Sequence, residues 1–351
     1  MRLTVPVRRA LAKMRPYHPP LEGRSGKMRL DFNENPLGCS PAVRQALRKL
    51  SSKSVSMYPE QELVRREVAE FFRVRPAELL LTNGTDEALS VVVNTFVEPG
   101  NAVLLVEPTF AMYRFYAELA GAKVEALRYD AGLRFPMEEV LTALRSAPRV
   151  FFLANPNNPT GSVVRPRELW GILEAGRKTV IVVDEAYFEF SGVTVLPWIR
   201  RFRNLVVTRT FSKAAGLAGL RLGCLFAHRD TTAILKKAQS PYPVNVAALA
   251  AARAAIADRG FVKRTVREIR RSRQELERGL ERLGVHHFPS AGNFILMDLG
   301  ERASDVVSAL VRRKTLIRDR SSDFGGAGYV RITLGTLPQT RRLLRQLKKI
   351  L

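Results

Sequence analysis

Residues 180–187 of the chain have the sequence Val-Ile-Val-Val-Asp-Glu-Ala-Tyr. Four consecutive β-branched residues predict a strand that is buried on both faces, as in the parallel sheets of α/β proteins. Asp184 and Tyr187 follow at once, so polar side chains stand at the carboxyl end of this strand. Because ligands of open α/β sheets bind at that end of the strands, the stretch predicts both a sheet and a site.

Similar short apolar runs lie on both sides of this stretch and alternate with helical patterns, which indicates parallel βαβ units. Polar clusters follow several of them, at residues 83–86, 155–161 and 210–213. Any single cluster is typical of an ordinary turn, but several at one edge of a sheet predict a site. The runs are residues 79–81, 102–106, 124–128, 150–154 and 205–208.

The sequence pattern changes after about residue 244. Long helical stretches are followed by short strand candidates, which predict a smaller α+β domain attached through a long helix. We therefore expect three segments: residues 1–50 as an N-terminal arm and part of the small domain, 51–245 as the large domain, and 246–351 as the small C-terminal domain. The helical stretches are 247–257, 262–283 and 304–313, and the strand candidates are 294–299, 315–318 and 329–333.

The composition excludes several classes of protein. Of the 351 residues, 46% are hydrophobic and 26% charged, which is enough apolar material for a sizeable core and excludes a disordered chain. No apolar run approaches the length that crosses a bilayer, so we expect no membrane embedding. Cys39 and Cys224 are the only cysteines, which excludes a disulfide scaffold and a Cys-rich metal site. We expect a cytoplasmic protein without a metal.

The formal net charge of +24 raises the alternative of a nucleic-acid-binding protein. The basic residues are scattered, however, and aromatic residues are not interleaved with them as a base-stacking surface requires. We therefore expect no nucleic-acid partner. The positive field instead favours small anionic ligands such as phosphates and carboxylates.

Lys213 is the strongest candidate for a reactive amine. Only 13 of the 57 basic residues are lysines, and this one follows the apolar run 205–208 within a group of phosphate-binding residue types. Thr210, Ser212 and Arg221 offer hydroxyl donors and a guanidinium, which suit a phosphate dianion. A lysine beside them could condense with the aldehyde of a phosphate-bearing cofactor. The alternative is a Ser-Lys pair in a helix cap.

Three other clusters have a structural and a functional interpretation. Asp184 is either a helix N-cap or a buried carboxylate that needs a cation, such as a protonated pyridine nitrogen. Residues 155–161 form a rigid turn or hold an asparagine toward a ligand. Gly84-Thr85-Asp86 is either an ordinary helix N-terminus with Asp86 in the first turn or the start of an apolar helix whose free N–H groups bind an anion.

Together, these stretches resemble the fold-type-I aminotransferases that use pyridoxal 5′-phosphate (PLP), and within them the histidinol-phosphate aminotransferases. The order and spacing of the motifs carry the resemblance, which extends from Tyr17 to Thr336. The motifs are Arg15-Pro16-Tyr17, Asn33-Glu34-Asn35-Pro36, Tyr58-Pro59, Gly84-Thr85-Asp86-Glu87, Pro108-Thr109-Phe110-Ala111-Met112-Tyr113, Asn157-Asn158-Pro159-Thr160-Gly161, Asp184-Glu185-Ala186-Tyr187, Ser212-Lys213 with Gly219-Leu220-Arg221, and Val330-Arg331-Ile332-Thr333-Leu334-Gly335-Thr336.

The resemblance implies a mostly parallel seven-stranded sheet in the large domain, PLP as the cofactor, and a role for each matching residue. Lys213 would hold the cofactor and move the proton at the substrate Cα, and Asp184 would keep the ring nitrogen protonated. Tyr187 and Asn158 would hydrogen-bond the phenolic oxygen of the cofactor, and Tyr113 would stack on its ring. The residues implied for the phosphate are Gly84, Thr85, Asp86, Thr210, Ser212 and Arg221, with Tyr58 reaching it from a partner subunit of a homodimer.

For the substrate, the resemblance implies that Arg331 binds the α-carboxylate as a bidentate pair. Arg318 and Tyr17 would lie near the phosphate end. The implied reaction transfers the amino group of L-histidinol phosphate to 2-oxoglutarate, forming imidazole acetol phosphate and L-glutamate in histidine biosynthesis. Three alternatives stay open: an aromatic amino-acid aminotransferase, an enzyme like the threonine-phosphate decarboxylases, and a basic nucleic-acid-binding or regulatory protein on the same scaffold.

Overall fold

The computed structural model describes residues 5–14, 16, 20–326 and 328–351, and within them two sheets carry the architecture. The strands are β1 (Met28–Arg29), β2 (Leu79–Thr82), β3 (Ala102–Glu107), β4 (Lys123–Arg128), β5 (Val150–Ala154), β6 (Val180–Asp184), β7 (Leu205–Thr210), β8 (Gly223–Ala227), β9 (His286–Phe288), β10 (Phe294–Asp298), β11 (Thr315–Leu316), β12 (Arg318–Asp319) and β13 (Tyr329–Thr333).

Helices cover both sheets, and short 3₁₀ turns connect some of the elements. The α-helices are α1 (Arg9–Lys13), α2 (Pro41–Arg48), α3 (Ser52–Ser56), α4 (Glu62–Phe71), α5 (Gly84–Phe96), α6 (Met112–Leu119), α7 (Met137–Leu144), α8 (Pro166–Ala175), α9 (Phe188–Ser191), α10 (Arg229–Leu235), α11 (Val246–Ala257), α12 (Arg259–Arg282), α13 (Ala303–Arg312) and α14 (Leu337–Leu347).

The larger sheet has the strand order β2-β8-β7-β6-β5-β3-β4. Its strands pair in parallel except for β8, which is antiparallel to both β2 and β7. Two separate hydrophobic clusters pack on its two faces, so the central strands are buried on both sides. The predicted α/β class and the mostly parallel seven-stranded sheet are therefore confirmed. Within this sheet, β8 is the strand that sequence patterning did not identify.

The smaller sheet has the order β12-β13-β10-β9 and is antiparallel in every pairing. Helix α12 packs against it through Ile269, Leu276 and Leu280, and α14 lies beside α12. Met28 and Leu30 from the N-terminal segment join this core. The predicted domain boundary at residue 245 stays a prediction. Since α11 packs into the core of the large sheet, the packing favours a boundary between α11 and α12.

A buried ion pair holds the carboxyl ends of β6 and β7 together. Arg209 donates to Glu185 at 2.7 Å, and the backbone N–H of Val195 donates to the other carboxylate oxygen of Glu185 at 2.6 Å. Both charged side chains are almost fully buried, so each satisfies the other where water is absent. The pair thus lies immediately beside the strand ends that carry Asp184 and Thr210.

Among the described residues, the structure has no helix that is both long and apolar enough to cross a membrane. Both cysteines are free thiols. No cluster of three or more potential His, Cys, Asp or Glu metal ligands occurs in the same part of the chain.

Candidate active site

A cavity of about 340 Å³ lies at the carboxyl ends of β5, β6 and β7. Its size is within the range of small-molecule sites. Ala154, Asp184 and Thr210 end these strands and line the cavity, while residues of the small sheet and of the N-terminal segment line the opposite wall.

Most of the predicted site residues meet in this cavity. The exceptions are Gly84, which adjoins it, Tyr58, which lies elsewhere, and Tyr17, which lies outside the described residues. The predicted residues that line it are Thr85, Asp86, Tyr113, Asn158, Asp184, Tyr187, Thr210, Ser212, Lys213, Arg221, Arg318 and Arg331. Lining residues for which no role was predicted include Phe32, Asn33, Glu34, Phe110 and Arg320.

Lys213 presents its amine to the cavity. Its Nζ donates to the backbone oxygen of Phe32 at 3.1 Å and lies 5.8 Å from the ring centroid of Tyr187. Burial, followed by the positive charge of Arg331, lowers the pKa of Lys213 to about 8. A substantial fraction of this amine is therefore neutral near physiological pH, which is the state that attacks an aldehyde carbon.

Asp184 is a buried carboxylate whose donors are all uncharged. Its Oδ2 accepts from the Tyr113 hydroxyl at 2.7 Å, and its Oδ1 accepts from the Thr208 hydroxyl at 2.9 Å and the Ala186 amide at 3.2 Å. Burial raises the pKa of Asp184, and these three hydrogen bonds oppose the rise. A cationic nitrogen on a ligand would stabilise the carboxylate further, because it would compensate the buried charge directly.

Tyr113 has different neighbours from those the resemblance implied. Its side chain is fully buried, its hydroxyl bonds Asp184, and its ring is parallel to that of Phe152 at 5.2 Å. Phe110 packs edge-on against Tyr113 and is partly exposed along the cavity wall. This geometry favours Phe110 as the aromatic that faces a ligand and Tyr113 as a support for Asp184, so a ring-stacking role for Tyr113 stays a prediction that the packing does not favour.

Tyr187 is oriented by Asn33, a residue to which sequence reasoning gave no contact. The Asn33 amide donates to the Tyr187 hydroxyl at 2.9 Å. Asn33 itself has a left-handed backbone (φ 57°), and the Thr333 hydroxyl bonds both its backbone N–H and its side-chain oxygen at 2.9 Å. The Asn33-Glu34-Asn35-Pro36 motif was the available signal, since asparagine tolerates this conformation better than most residues.

Arg331 connects the small sheet to the loop after β5. One of its terminal nitrogens donates to Asn158 Oδ1 at 2.5 Å, and the other donates to the backbone oxygen of Asp31. Because the side-chain oxygen of Asn158 faces Arg331, its amide nitrogen is directed away from the arginine. This leaves the Asn158 amide as a hydrogen-bond donor for a ligand oxygen.

The N-terminus of α5 and Arg221 form a cup whose N–H groups and positive charge suit an anion. Gly84 has a left-handed backbone (φ 72°), and a Cβ on Gly223 would lie 2.7 Å from the backbone nitrogen of Thr85, so both positions need glycine. Arg221 also donates to Asp86 at 2.8 Å. The helix N-terminus adds unpaired N–H groups and a favourable dipole.

Two buried hydroxyls of this cup, those of Thr85 and Ser212, have no hydrogen-bond partner among the described residues. Buried polar atoms without partners are costly, and the oxygens of a phosphate would supply them. The cavity therefore fits a ligand with a phosphate at one end, a basic ring nitrogen for Asp184 and an electrophilic carbon for Lys213.

The chain is similar to known aminotransferases over almost its whole length. The model of the family "Aminotransferase class I and II" matches residues 25–347. The chain is 38% identical to a histidinol-phosphate aminotransferase of Symbiobacterium thermophilum, with 98% of each protein covered.

Solved structures agree with this similarity. The histidinol-phosphate aminotransferase of Sinorhizobium meliloti in complex with PLP is 27% identical, with a TM-score of 0.84, and covers 92% of this chain and 90% of its own. The L-threonine-O-3-phosphate decarboxylase of Porphyromonas gingivalis is 25% identical, with a TM-score of 0.81, and covers 92% and 98% respectively.

We compare the ligand-free forms of Lys213→Met and the wild type. The free energy of unfolding of the variant, relative to that of the wild type, should increase as the pH falls from about 10.5 to about 8. Burial lowers the pKa of Lys213 from its ordinary 10.5 to about 8, so the unfolded chain binds the proton more tightly than the folded one in that window. The buried lysine therefore lowers the free energy of unfolding of the wild type by its full amount below about pH 8 and does not lower it above about pH 10.5. Methionine removes this loss because it carries no charge.

Urea unfolding curves at several pH values measure the stability difference between the variant and the wild type. The control is Lys178→Met, because Lys178 is an exposed lysine that does not line the cavity. A Lys213→Met difference that is independent of pH would contradict the lowered pKa.

Proposed function

The chain belongs to the class I and II aminotransferases, and we propose that it transfers the amino group of L-histidinol phosphate to 2-oxoglutarate. The products would be imidazole acetol phosphate and L-glutamate, formed in histidine biosynthesis. The family makes the chain a PLP-dependent transaminase. The named relatives support the choice of amino donor.

One observation in the structure carries this proposal. The cavity has two separate basic regions, with Arg221 in the cup at the N-terminus of α5 and with Arg318 and Arg331 on the small sheet. The cofactor phosphate needs only the first region. The second is available for the anionic groups of substrates, which both histidinol phosphate and glutamate carry.

PLP fits the residues that line the cavity. The unpartnered hydroxyls of Thr85 and Ser212, with Arg221 and the amides of α5, would bind its phosphate, and Asp184 would bind its ring nitrogen. When bound, the cofactor supplies an aldehyde carbon that exchanges amino groups and a pyridine ring that withdraws electrons from the substrate Cα.

The protein's own groups would position the reactants and move the protons. In the proposed mechanism the Lys213 amine, whose pKa burial lowers to about 8, would take the proton from the substrate Cα and deliver it to the cofactor carbon that bears the exchanged nitrogen. Asp184 would keep the ring nitrogen protonated because its negative charge stabilises the cationic ring, and Tyr113 and Thr208 hold its two oxygens in place. The Tyr187 hydroxyl, which Asn33 orients, and the Asn158 amide would donate to the phenolic oxygen of the cofactor.

Substrate orientation would come from the arginines. Arg331 presents a planar guanidinium that can pair with a carboxylate through two parallel hydrogen bonds. Its bonds to Asn158 and to the backbone of Asp31 fix its position before the substrate arrives. Arg318 stands opposite Arg331 in the strand register and would contact the phosphate end.

We expect Arg318→Ala to weaken the reaction of histidinol phosphate more than that of phenylalanine. The loss of charge-assisted hydrogen bonds to a phosphate corresponds to a decrease of about 10- to 100-fold in kcat/KM, because such bonds contribute about 1.5–3 kcal/mol. Steady-state rates with histidinol phosphate, phenylalanine and tyrosine as donors measure this.

The control for that experiment is Arg312→Ala, which removes an exposed arginine of the same domain. Equal losses for the phosphorylated and aromatic donors would contradict the role of Arg318. A wild-type preference for phenylalanine would identify an aromatic amino-acid aminotransferase instead.

We also propose that the enzyme is a cytoplasmic homodimer in which Tyr58 of the partner subunit reaches the cofactor phosphate. Tyr58 lies outside the cavity of its own subunit, is 77% exposed and stacks on Tyr242 at 4.3 Å. Met57 and Leu63 nearby in the chain are also more than half exposed. Exposed apolar residues grouped in this way favour a protein interface.

The dimer proposal predicts that Tyr58→Phe lowers the affinity for PLP, because one hydroxyl donor to the phosphate is lost, while light scattering still gives the mass of a dimer. Cofactor titration followed by absorbance measures the affinity. Tyr242→Phe is the matched control, since it removes a hydroxyl from the neighbouring ring. A monomeric wild type, or an unchanged PLP affinity in Tyr58→Phe, would contradict the proposal.

A further inference from the structure

A third arginine, Arg320, shares the substrate-facing side of the small sheet with the two arginines already discussed. Arg318 is opposite Arg331 in the antiparallel register, and the backbone N–H of Arg320 continues the ladder by donating to the Tyr329 oxygen at 2.8 Å. Side chains two residues apart in a strand point to the same face. All three arginines line the cavity.

Arg320 is buried, and only part of its hydrogen-bonding capacity is used. It is only 8% exposed, and its terminal nitrogen pairs with Asp323. Its Nε is buried and has no hydrogen-bond partner among the described residues. A buried guanidinium with an unused donor lowers stability, and an anion bound in the cavity would supply an acceptor for that donor.

Asp323 is the carboxylate that this cluster of arginines surrounds. Burial raises the pKa of Asp323, and the positive charges of Arg320, Arg331 and Arg318 oppose that rise, in this order of strength. Three guanidinium groups and one carboxylate leave an excess of two positive charges within these four residues. Like charges on facing strands repel each other, so the cluster is costly until an anion binds.

We propose that Arg320 is a further substrate-binding residue that contacts the phosphate of the amino donor, and that Asp323 orients Arg320 and competes with that phosphate for it. The inference rests on the proposed function for the identity of the donor. A phosphate monoester carries about −1.5 to −2 charges near pH 7, which matches the excess charge of the cluster. A single carboxylate neutralises only half of that excess. Arg320 therefore favours a phosphorylated donor over an aromatic amino acid.

The experiment uses the holoenzyme and inorganic phosphate as the probe. In the holoenzyme the cofactor's own phosphate fills the cup of α5, so added phosphate reports on the arginine cluster. Calorimetry gives the Kd of phosphate, and steady-state kinetics give KM and kcat for histidinol phosphate and phenylalanine. The variants are Arg320→Gln and Asp323→Asn, with Arg312→Gln as the exposed control.

Arg320→Gln and Asp323→Asn should change the Kd of phosphate in opposite directions. Arg320→Gln should raise the Kd of phosphate about 10- to 100-fold, and should raise KM for histidinol phosphate more than it lowers kcat. Asp323→Asn should lower the Kd of phosphate several-fold, because asparagine keeps an acceptor for Arg320 but removes the competing charge. Arg312→Gln should leave both constants within about twofold of the wild type.

An unchanged Kd of phosphate in Arg320→Gln would overturn the assignment of Arg320. Weaker phosphate binding in both variants would overturn the proposal that Asp323 competes with phosphate for Arg320. It would identify Arg320 and Asp323 as a structural ion pair, most clearly if the melting temperatures of both variants fall. If the wild type binds phosphate through Arg320 but does not turn over histidinol phosphate, the proposed function fails while the anion site stands.

Discussion

A carboxylate buried at the end of β6 is the constraint on which the rest of the site depends. Asp184 lies where water cannot solvate it, so its charge must be stabilised by hydrogen bonds and by whatever cation a ligand brings. Tyr113 reaches it from α6 and Thr208 from the neighbouring strand. Hydrophobic clusters pack on both faces of the sheet around it. The position of the ligand ring relative to Lys213 therefore follows from the register of the strands.

The site also depends on the contact between the small sheet and the loop after β5. Arg331 belongs to the small-sheet strand β13, yet it donates to Asn158 at the edge of the large sheet. Asn33, from the N-terminal segment, bonds Tyr187 on one side and Thr333 on the other. Residues proposed to bind the substrate and residues proposed to bind the cofactor are thus joined by hydrogen bonds. A substitution at Arg331 or Asn158 should therefore affect the binding of both.

Much of this arrangement could be predicted from the sequence, and what was missed has a physical reason. Asp184 and Lys213 stand out because several polar clusters follow apolar runs and meet at one edge of the sheet, whereas any single cluster is typical of an ordinary turn. Strand β8 was missed since Gly223–Ala227 follows a short 3₁₀ turn rather than a helix. The orientation of Tyr113 depends on packing against Phe152, and that of Phe110 on packing against Tyr113, which no local pattern encodes. The sequence analysis gave Arg320 no role, because its burial comes from tertiary contacts that no local pattern encodes.

The most direct test is to identify the lysine that binds the cofactor. Borohydride reduction of the holoenzyme fixes the cofactor permanently to the amine that holds it, and peptide mass spectrometry then locates the added mass. The expected result is that the added mass is on Lys213 alone, and that Lys213→Ala folds normally but has no turnover. Attachment at any other lysine, or wild-type turnover in Lys213→Ala, would contradict the proposed site.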